Sequence, residues 1–277
     1  MPKPAPLMEL KQASVTFESG GGLFGSKRQV QAVVNVNLAL EEGDILALVG
    51  ESGCGKTTLG RTVTRLQKPT SGQVLYYGKD IWNMRADEFS DYRLSVQIVH
   101  QDSFAALNPV RSIFQTLRAP LLRHGIAKNN REAWEKAAEL LTIIGLTPPE
   151  VFLDDKYPHQ LSGGQRQRVV VARALSVQPK LIVADEPVSM VDVSLRLSLL
   201  DLMARLNRDL GIAFIYITHD LATARYFAQK GRIAVMYLGQ IVESGSLAEV
   251  LSRPRHPTRV PAPMSRQYAR LLRHSQK

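Results

Sequence analysis

The stretch Gly50-Glu51-Ser52-Gly53-Cys54-Gly55-Lys56-Thr57 decides the fold, and it lies directly after a short apolar run, Asp44 to Val49. Glycine, four residues, glycine, lysine and a hydroxyl residue is the pattern of a phosphate-binding loop. The apolar run predicts a buried strand and the following stretch, Lys56 to Leu66, predicts a helix, which is the context that the pattern requires. A glycine-rich turn that binds nothing is the alternative, and the flanking strand and helix make it much the weaker one.

The loop residues predict ATP binding. Glycines permit backbone geometry closed to other residues, so successive N–H groups can point at phosphate oxygens beside the positive end of the helix dipole. Lys56 is expected to bridge the β- and γ-phosphates and Thr57 to hold Mg²⁺. Cys54 is expected to act as a small spacer, with a modifiable thiol as the alternative. The predicted nucleotide-binding set here is Gly50, Ser52, Gly53, Cys54, Gly55, Lys56, Thr57 and Thr58.

A second apolar run, Leu181 to Ala184, ends in two carboxylates, Asp185 and Glu186. In an open α/β sheet, ligands sit at the carboxyl ends of strands, so Asp185 is expected near the phosphate loop, where it supports Mg²⁺ directly or through water. Glu186 is expected to polarise the attacking water as a general base. Adjacent acids after a strand are common in surface turns, so the pair is specific only in combination with the loop.

The remaining pattern predicts an α/β fold. A third apolar run, Ile212 to Thr218, and helical stretches at Gln165 to Ser176 and Val193 to Leu210 complete the rhythm of a mostly parallel sheet flanked by helices, a P-loop NTPase core. Between Asp102 and His159 the spacing becomes helical, with helices predicted at Ile113 to Leu122 and Arg131 to Ile144. We interpret this region as an α-helical subdomain inserted into the core.

The N-terminal region predicts a small antiparallel β subdomain. Leu7 to Phe17 alternates and is typical of an edge strand, Gly20 to Lys27 is a glycine-rich turn, and Val30 to Leu40 alternates again. The predicted inward face of the second strand consists of Val34, Val36, Leu38 and Leu40. The predicted domain covers 1–260, with a core of 7–101 and 179–250, a helical subdomain of 102–178, and a basic tail of 251–277.

Composition narrows the protein class. The 277 residues include one cysteine, so no internal disulfide forms, and no Cys/His cluster has metal-ligand spacing. No signal peptide and no apolar run of about 18 residues is evident, so we expect a cytosolic, soluble protein for which any membrane association comes through a partner. The formal net charge of +10 suits nucleic acid, anionic lipid or phosphorylated ligands, with scattered solubilising charge an equal alternative.

Leu161-Ser162-Gly163-Gly164-Gln165 resembles the signature motif of ABC transporter ATPases. The resemblance implies that Ser162, Gly163, Gly164 and Gln165 recognise the γ-phosphate of ATP held by an opposing subunit. The same residues suit a helix cap, and the two roles are compatible.

Other motifs of that family follow in order. The resemblance implies that Gln101 senses Mg²⁺, water and a permease, that Asp192 lies in a loop crossing the dimer interface, and that His219 contacts the γ-phosphate. Ser189-Met190-Val191-Asp192 departs from the family, which more often has Ala-Leu before the aspartate. Phe17 lies where the family stacks an aromatic on adenine, and a core phenylalanine is the alternative.

Further stretches look like the dipeptide, oligopeptide and nickel importer branch, specifically its F-type ATPase subunit. These are Gly21 to Gly25, Leu107-Asn108-Pro109, Lys156 to Gln160 and Val235 to Gly239. The C-terminus departs from the branch, since His256-Pro257-Thr258-Arg259 lacks the tyrosine that commonly follows the proline, and no cysteine cluster is present.

The resemblance implies an ATPase that drives solute uptake at the cytoplasmic face of the inner membrane as a peripheral subunit. Its expected partners are a second homologous ATPase in a heterodimer, two transmembrane permease subunits and, indirectly, an extracytoplasmic solute-binding protein. Peptides are the favoured solute, with nickel or an oligosaccharide as alternatives. A soluble ABC ATPase acting on nucleic acid or ribosomes is the rival class, though no nucleic acid partner is expected. A silent regulatory subunit is disfavoured by intact Lys56, Asp185, Glu186 and His219.

Overall fold

The computed structural model describes residues 4–19 and 28–252, in which strands and helices alternate. The strands are β1 (Met8–Ser19), β2 (Arg28–Leu40), β3 (Ile45–Val49), β4 (Ser71–Tyr76), β5 (Lys79–Asp80), β6 (Val96–Val99), β7 (Leu181–Asp185), β8 (Ala213–Thr218), β9 (Arg232–Tyr237) and β10 (Gln240–Ser246). The helices are α1 (Lys56–Val63), α2 (Ala86–Ser95), α3 (Ser103–Ala106), α4 (Ile113–Arg123), α5 (Asn130–Ile143), α6 (Glu150–Leu153), α7 (Gly163–Leu175), α8 (Val193–Leu210), α9 (Leu221–Phe227) and α10 (Leu247–Ser252).

The chain divides into two compact units. The first contains the residues up to Tyr92 and those from Ala213 onward, and the second runs from Arg93 to Ile212. The glycine-rich turn at 20–27 and the tail beyond Ser252 lie outside the described residues. The predicted limits of the helical subdomain, 102–178, stay a prediction.

The first unit contains an antiparallel sheet with the strand order β2-β1-β4-β5. β1 pairs with β2 on one side and with β4 on the other. The prediction of an edge strand at Leu7 to Phe17 is therefore wrong, because β4, for which we found no sequence signal, covers its second side.

A bulge interrupts the alternation along β2. Asn35 has a φ of 50°, and the pairing of β2 with β1 changes register at this point. Because strand side chains alternate with a period of two, an extra residue exchanges the two faces. Val33 is therefore buried and Val34 only half-buried, against the prediction. The rest of the predicted face is buried as expected, namely Val36, Leu38 and Leu40.

A second sheet of the first unit has the order β10-β9-β3-β8. β3 runs parallel to β8 on one side and to β9 on the other, and β10 closes an antiparallel hairpin with β9. Leu46, Leu48, Phe214 and Tyr216 are fully buried, as their apolar runs predict for strands covered on both faces. Helix α1 contacts β8, and α9 contacts β3 and β8. Helix α1 ends before the predicted Leu66, because Arg65 leaves the helical region with a φ of 58°.

In the second unit β6 and β7 pair in parallel, with Val99 opposite Ala184. Helices α3 to α8 make up the rest of this unit, where α4 packs against α5 and α7. The four predicted helices of this unit are present with ends within two residues of prediction. The predicted fold class is thus confirmed: parallel strands with helices, an N-terminal antiparallel sheet, and a run of helices between Ser103 and Leu175. Across residues 4–19 and 28–252, no helix combines the length and apolar character that crossing a membrane requires.

Candidate functional site

The glycine-rich loop joins β3 to α1 in the first unit, as predicted. Gly55 precedes the helix with a φ of 105°. Because Gly55 carries no side chain, no capping group competes for the first N–H groups of α1. A helix N-terminus in this state is an anion site, since its N–H groups and its dipole both favour negative charge.

Two of the loop glycines are required by crowding. A Cβ on Gly50 would lie 2.2 Å from the carbonyl oxygen of Met236, and one on Gly55 would lie 1.9 Å from that of Ala32. Backbone from β9 and β2 therefore presses directly on the loop. Gly53, by contrast, has a φ of 80° and no atom within 4 Å of its Cβ position, so only conformation demands glycine there.

Lys56 is 5% exposed although it carries a charge. Its Nζ donates hydrogen bonds of 2.8 Å to the carbonyl oxygens of Gly50 and Glu51. These bonds curl the ammonium group back over the loop, on the side that the loop encloses. A buried cation held by neutral carbonyls has no counter-ion in these bonds, which suits it to phosphate oxygens.

Cys54 is 6% exposed and lies 3.8 Å from Nζ of Lys56. Burial raises the pKa of the Cys54 thiol, and the Lys56 charge opposes this without cancelling it. The thiol therefore stays protonated at neutral pH, in agreement with a spacer role.

Three hydroxyl residues extend the loop. Ser52 and Thr57 are exposed, together with Gly53, and Thr58 is half-buried. Mg²⁺ takes oxygen ligands and usually shares them with substrate phosphates, so the Thr57 hydroxyl at the start of α1 is a suitable ligand. The described residues contain no cluster of three or more His, Cys, Asp or Glu side chains able to hold a metal alone. The role of Thr57 as a ligand of a nucleotide-borne Mg²⁺ stays a prediction.

His219 lies beside the loop in sheet order. β8 is the parallel neighbour of β3, and Thr218 pairs with Val49, so Gly50 and His219 follow adjacent strand ends. The backbone after His219 is held by Asp220, whose carboxylate accepts a 2.8 Å hydrogen bond from the N–H of Ala222. The His219 side chain is exposed at this edge. The phosphate loop and His219 therefore follow neighbouring strand ends, and the contact of His219 with the γ-phosphate stays a prediction.

Phe17 occupies β1 opposite Val30 and is 41% exposed. The neighbouring strand, β2, contributes the Ala32 carbonyl that touches Gly55. An exposed ring on this sheet is available for stacking, so the alternative of a core phenylalanine is disfavoured. The contact with adenine stays a prediction.

In the second unit β7 ends at Asp185, which is 8% exposed. Glu186 is half-buried and has a φ of 47°, a strained value for a residue with a side chain. Its carbonyl oxygen accepts hydrogen bonds from N and Oγ of Ser189, at 3.2 and 3.0 Å. Such strain is concentrated at functional sites.

Gln101 follows β6 in the same unit and is exposed. Since Val99 pairs with Ala184, Asp185 at the end of β7 and Gln101 just after β6 lie at adjacent strand ends. The backbone before Gln101 is held by Gln167, whose Nε2 donates a 3.2 Å hydrogen bond to the carbonyl oxygen of His100. The structure therefore places Gln101, Asp185 and Glu186 at one edge of the β6–β7 pair.

The signature stretch begins α7 with a capping box. The Ser162 hydroxyl accepts a 3.2 Å hydrogen bond from the N–H of Gln165, and the Gln165 side-chain oxygen accepts one of 3.0 Å from the N–H of Ser162. Ser162 is exposed, and Gly163 and Gln165 are half-buried. A Cβ on Gly164 would lie 2.9 Å from Cδ1 of Leu195, so α8 crowds this position. The predicted cap is confirmed, and phosphate recognition stays a prediction.

Asp192 stands at the N-cap position of α8 without a side-chain hydrogen bond to the helix. Its neighbours Met190 and Val193 are 60% and 75% exposed. Exposed apolar side chains on such a loop are typical of a surface that another protein covers. This exposure supports the predicted place of Asp192 at a dimer interface.

The turn between β9 and β10 supports the phosphate loop, a contact that was not predicted from the sequence. The N–H of Gly239 donates a 2.9 Å hydrogen bond to the carbonyl oxygen of Cys54, and the carbonyl of Gly239 accepts one of 2.8 Å from Val34. Gly239 has a φ of 81°. The Leu238-Gly239 pair between two strands was the available signal for this turn.

These features define an ATP-hydrolysing protein of the P-loop class. They are a glycine loop between a buried parallel strand and a helix, an enclosed lysine, an acidic strand end, and a histidine after the strand next to the loop. The signature stretch narrows this class further. Residues 33–189 match the ABC transporter family, and the chain belongs to that family.

Curated relatives and a solved structure agree with this family assignment. The oligopeptide transport ATP-binding protein AppF of Bacillus subtilis is 42% identical over 91% of this chain and 75% of its own length. The dipeptide transport ATP-binding protein DppF of Escherichia coli is 40% identical over 91% of this chain and 74% of its own. The ATP-binding cassette MJ0796, in a dimeric post-hydrolysis state with ADP and Pi, has a TM-score of 0.75 at 30% identity, covering 87% of this chain and 98% of that one.

Proposed function

We propose that this chain is the ATP-hydrolysing subunit of an importer and that the imported solutes are di- or oligopeptides. The proposal rests on the sequence identity of 40–42% that this chain shares, over 91% of its length, with two relatives named for oligopeptide and dipeptide transport. The sequence stretches that resemble the F-type branch agree with it.

In this proposal each site residue has a separate role in binding or hydrolysing ATP. MgATP supplies the phosphoanhydride bond that is broken. The loop N–H groups and Lys56 bind its phosphates, and Phe17 stacks on the base. Thr57, Asp185 and Gln101 hold or orient Mg²⁺ and its water. Glu186 takes the proton of the attacking water, and His219 contacts the γ-phosphate.

The same proposal assigns the partners. Ser162 to Gln165 and Asp192 face a second, homologous ATPase subunit, and each ATP is enclosed between the phosphate loop of one chain and the signature of the other. Two permease subunits bind this dimer and place it at the cytoplasmic face of the inner membrane. An extracytoplasmic binding protein delivers the solute, so this chain does not contact it.

Reconstitution tests the function. The chain is combined in liposomes with the permeases, second ATPase and binding protein encoded near it, and ATP hydrolysis and uptake are measured. We expect both to rise with di- or oligopeptides. Stimulation by nickel or an oligosaccharide instead would reassign the solute. Stimulation of the isolated chain by RNA, DNA or ribosomes would favour the rival class.

A further inference from the structure

The phosphate loop follows β3, which lies between β8 and β9 in its sheet. His219 comes directly after β8, and β9 is followed by the two-residue turn Leu238-Gly239, which leads into β10. Because Val49 pairs in parallel with Val235, the turn and the loop leave the sheet at the same edge. None of the roles assigned to the site residues involves this turn, yet it contacts the loop directly.

The contact is a hydrogen bond of 2.9 Å from the N–H of Gly239 to the carbonyl oxygen of Cys54. A trans peptide unit is planar, and its carbonyl oxygen and its N–H point in opposite directions. The carbonyl of Cys54 and the N–H of Gly55 belong to one such trans unit. Because the turn holds the carbonyl oxygen on its own side, the Gly55 N–H points away from the turn.

The Gly55 N–H is available to a ligand. Gly55 is half-buried, and within residues 4–19 and 28–252 no atom accepts a hydrogen bond from its N–H. Leaving a partly buried N–H without an acceptor costs free energy, so such groups are normally paired in native proteins. At the start of α1, where the helix dipole also favours negative charge, a phosphate oxygen is an acceptor that fits.

The turn has a strained conformation that its backbone contacts hold in place. Leu238 and Gly239 have φ values of 45° and 81°, and two positive values are what a tight hairpin turn of type I′ requires. Leucine rarely adopts a positive φ, and Leu238 is 69% exposed, so burial of its side chain contributes little to the turn. The Gly239 carbonyl instead accepts a 2.8 Å hydrogen bond from the N–H of Val34 on β2. Backbone strain of this kind is concentrated at functional sites.

We infer that Gly239 is a positioning residue for ATP, because its hydrogen bond to Cys54 directs the Gly55 N–H at a phosphate oxygen. The inference rests on the proposed binding of ATP by the phosphate loop and adds to that site a residue from outside the loop. A Cβ on Gly239 would lie 3.1 Å from both the carbonyl oxygen of Ala32 and Cγ2 of Val34, in addition to the strain of its φ. A side chain at this position therefore shifts the turn, rotates the peptide unit that contains the Gly55 N–H, and weakens phosphate binding.

A second hairpin turn of the same unit provides a matched control. Tyr77-Gly78 joins β4 to β5 with φ values of 47° and 77°, and the nearest atom to a Cβ on Gly78 would be the Cβ of Ala5, 3.6 Å away. Gly239→Ala and Gly78→Ala therefore place the same side chain at the same strained position of two similar turns. Both variants of the full chain should lose similar amounts of thermal stability, and only Gly239→Ala should bind ATP more weakly.

Fluorescence titration with the trinitrophenyl derivatives of ATP and of adenosine measures this difference, because the two probes differ only in the phosphates. Gly239→Ala should bind trinitrophenyl-ATP at least about tenfold more weakly than wild type, since a hydrogen bond to a charged group is lost. Its affinity for trinitrophenyl-adenosine should change less than about twofold, as should the affinity of Gly78→Ala for either probe. If Gly239→Ala does not fold, Gly239→Asn takes its place, because asparagine adopts a positive φ more readily while its Cβ meets the same two atoms.

A spectroscopic measurement follows the Gly55 N–H itself. In protein that carries isotope-labelled glycine, the amide resonance of Gly55 should move on ADP binding in wild type and in Gly78→Ala, and should move less in Gly239→Ala. An unchanged affinity of Gly239→Ala for trinitrophenyl-ATP, or an equal loss for both probes, would overturn the inference. So would a Gly55 resonance that responds to ADP in Gly239→Ala as it does in wild type. A wild-type chain that bound neither probe would refute the proposed ATP site itself, and the inference with it.

Discussion

At the scale of single residues, Gly53 and Gly55 of the phosphate loop make a matched pair. Gly55→Ala should lower the free energy of unfolding by at least about 2 kcal/mol more than Gly53→Ala. Both positions have positive φ, but only at Gly55 would the new Cβ meet a backbone oxygen, 1.9 Å away. Urea unfolding of both variants measures the difference. Equal losses would mean that Ala32 moves aside and that β2 does not shape the loop.

Lys56→Ala should weaken ATP binding, because the phosphates lose the one ammonium group that the loop encloses. Titration with a non-hydrolysable ATP analogue measures the loss. The unfolding curve is the control, since the substitution also removes the donor to Gly50 and Glu51. Unchanged affinity in a folded variant would show that Lys56 does not contact the phosphates.

Glu186→Gln should keep ATP binding and lower steady-state hydrolysis by about 10²- to 10⁴-fold, the usual loss when a general base is removed. The variant keeps the shape of the side chain but removes its negative charge and its ability to take a proton, so turnover is the property that changes. Glu135→Gln, on the exposed side of α5, serves as the control. Near-normal hydrolysis by an assembled transporter that carries Glu186→Gln would contradict the assignment.

At the scale of elements, two capping boxes of the same kind allow the structural role of Ser162 to be measured separately from its role in ATP hydrolysis. Ser112 caps α4 through the same arrangement, with Gln115 in the place of Gln165. Ser162→Ala and Ser112→Ala should each lower stability by about 1 kcal/mol, the usual effect of losing an N-cap. Only Ser162→Ala should also slow ATP hydrolysis by the assembled transporter. Equal hydrolysis by both variants would reduce Ser162 to a cap.

The elements also show what the sequence alone can predict. Strands β3, β7 and β8 could be predicted because continuous apolar runs suit strands buried on both faces. The burial of Val33 in place of Val34 could not, because the bulge at Asn35 in β2 depends on pairing with β1. The position of β1 inside its sheet depends on β4, more than fifty residues away. Local pattern predicts an element, whereas its neighbours follow from contacts between distant residues.

The same division between local pattern and distant contacts applies to the candidate site. The residue types of the phosphate loop, the acidic strand end and the signature could be predicted, because each motif is a short stretch with a chemical reason for its spacing. The register that sets Thr218 beside Val49 could not. The close approach of the Ala32 carbonyl to Gly55 could not be predicted either. This approach and the register both depend on how the strands pack.

At the scale of the whole molecule, the chain carries parts of two ATP sites. Lys56 lies in the phosphate loop of the first unit, and Ser162 begins α7 in the second. In the proposed shared-site arrangement, the signature of this chain completes the ATP bound by its partner. The isolated chain should then be mostly monomeric and hydrolyse ATP slowly, with a rate that rises with protein concentration. A dilute lone subunit with full activity would contradict a shared site.

Mixed complexes test that division directly. Ser162→Arg should leave ATP binding by this chain nearly intact and impair the site whose phosphate loop belongs to the partner, because the arginine side chain would fill the space that the γ-phosphate must approach. Combined with Lys56→Ala on the same chain, it should therefore disable both sites. When Ser162→Arg is combined with the equivalent lysine substitution on the partner, both changes fall on the same ATP site. The other site should then keep working. Each arrangement contains one signature substitution and one phosphate-loop lysine substitution. A difference in hydrolysis between them therefore comes from which chain completes which site, and equal hydrolysis would refute the shared-site mechanism.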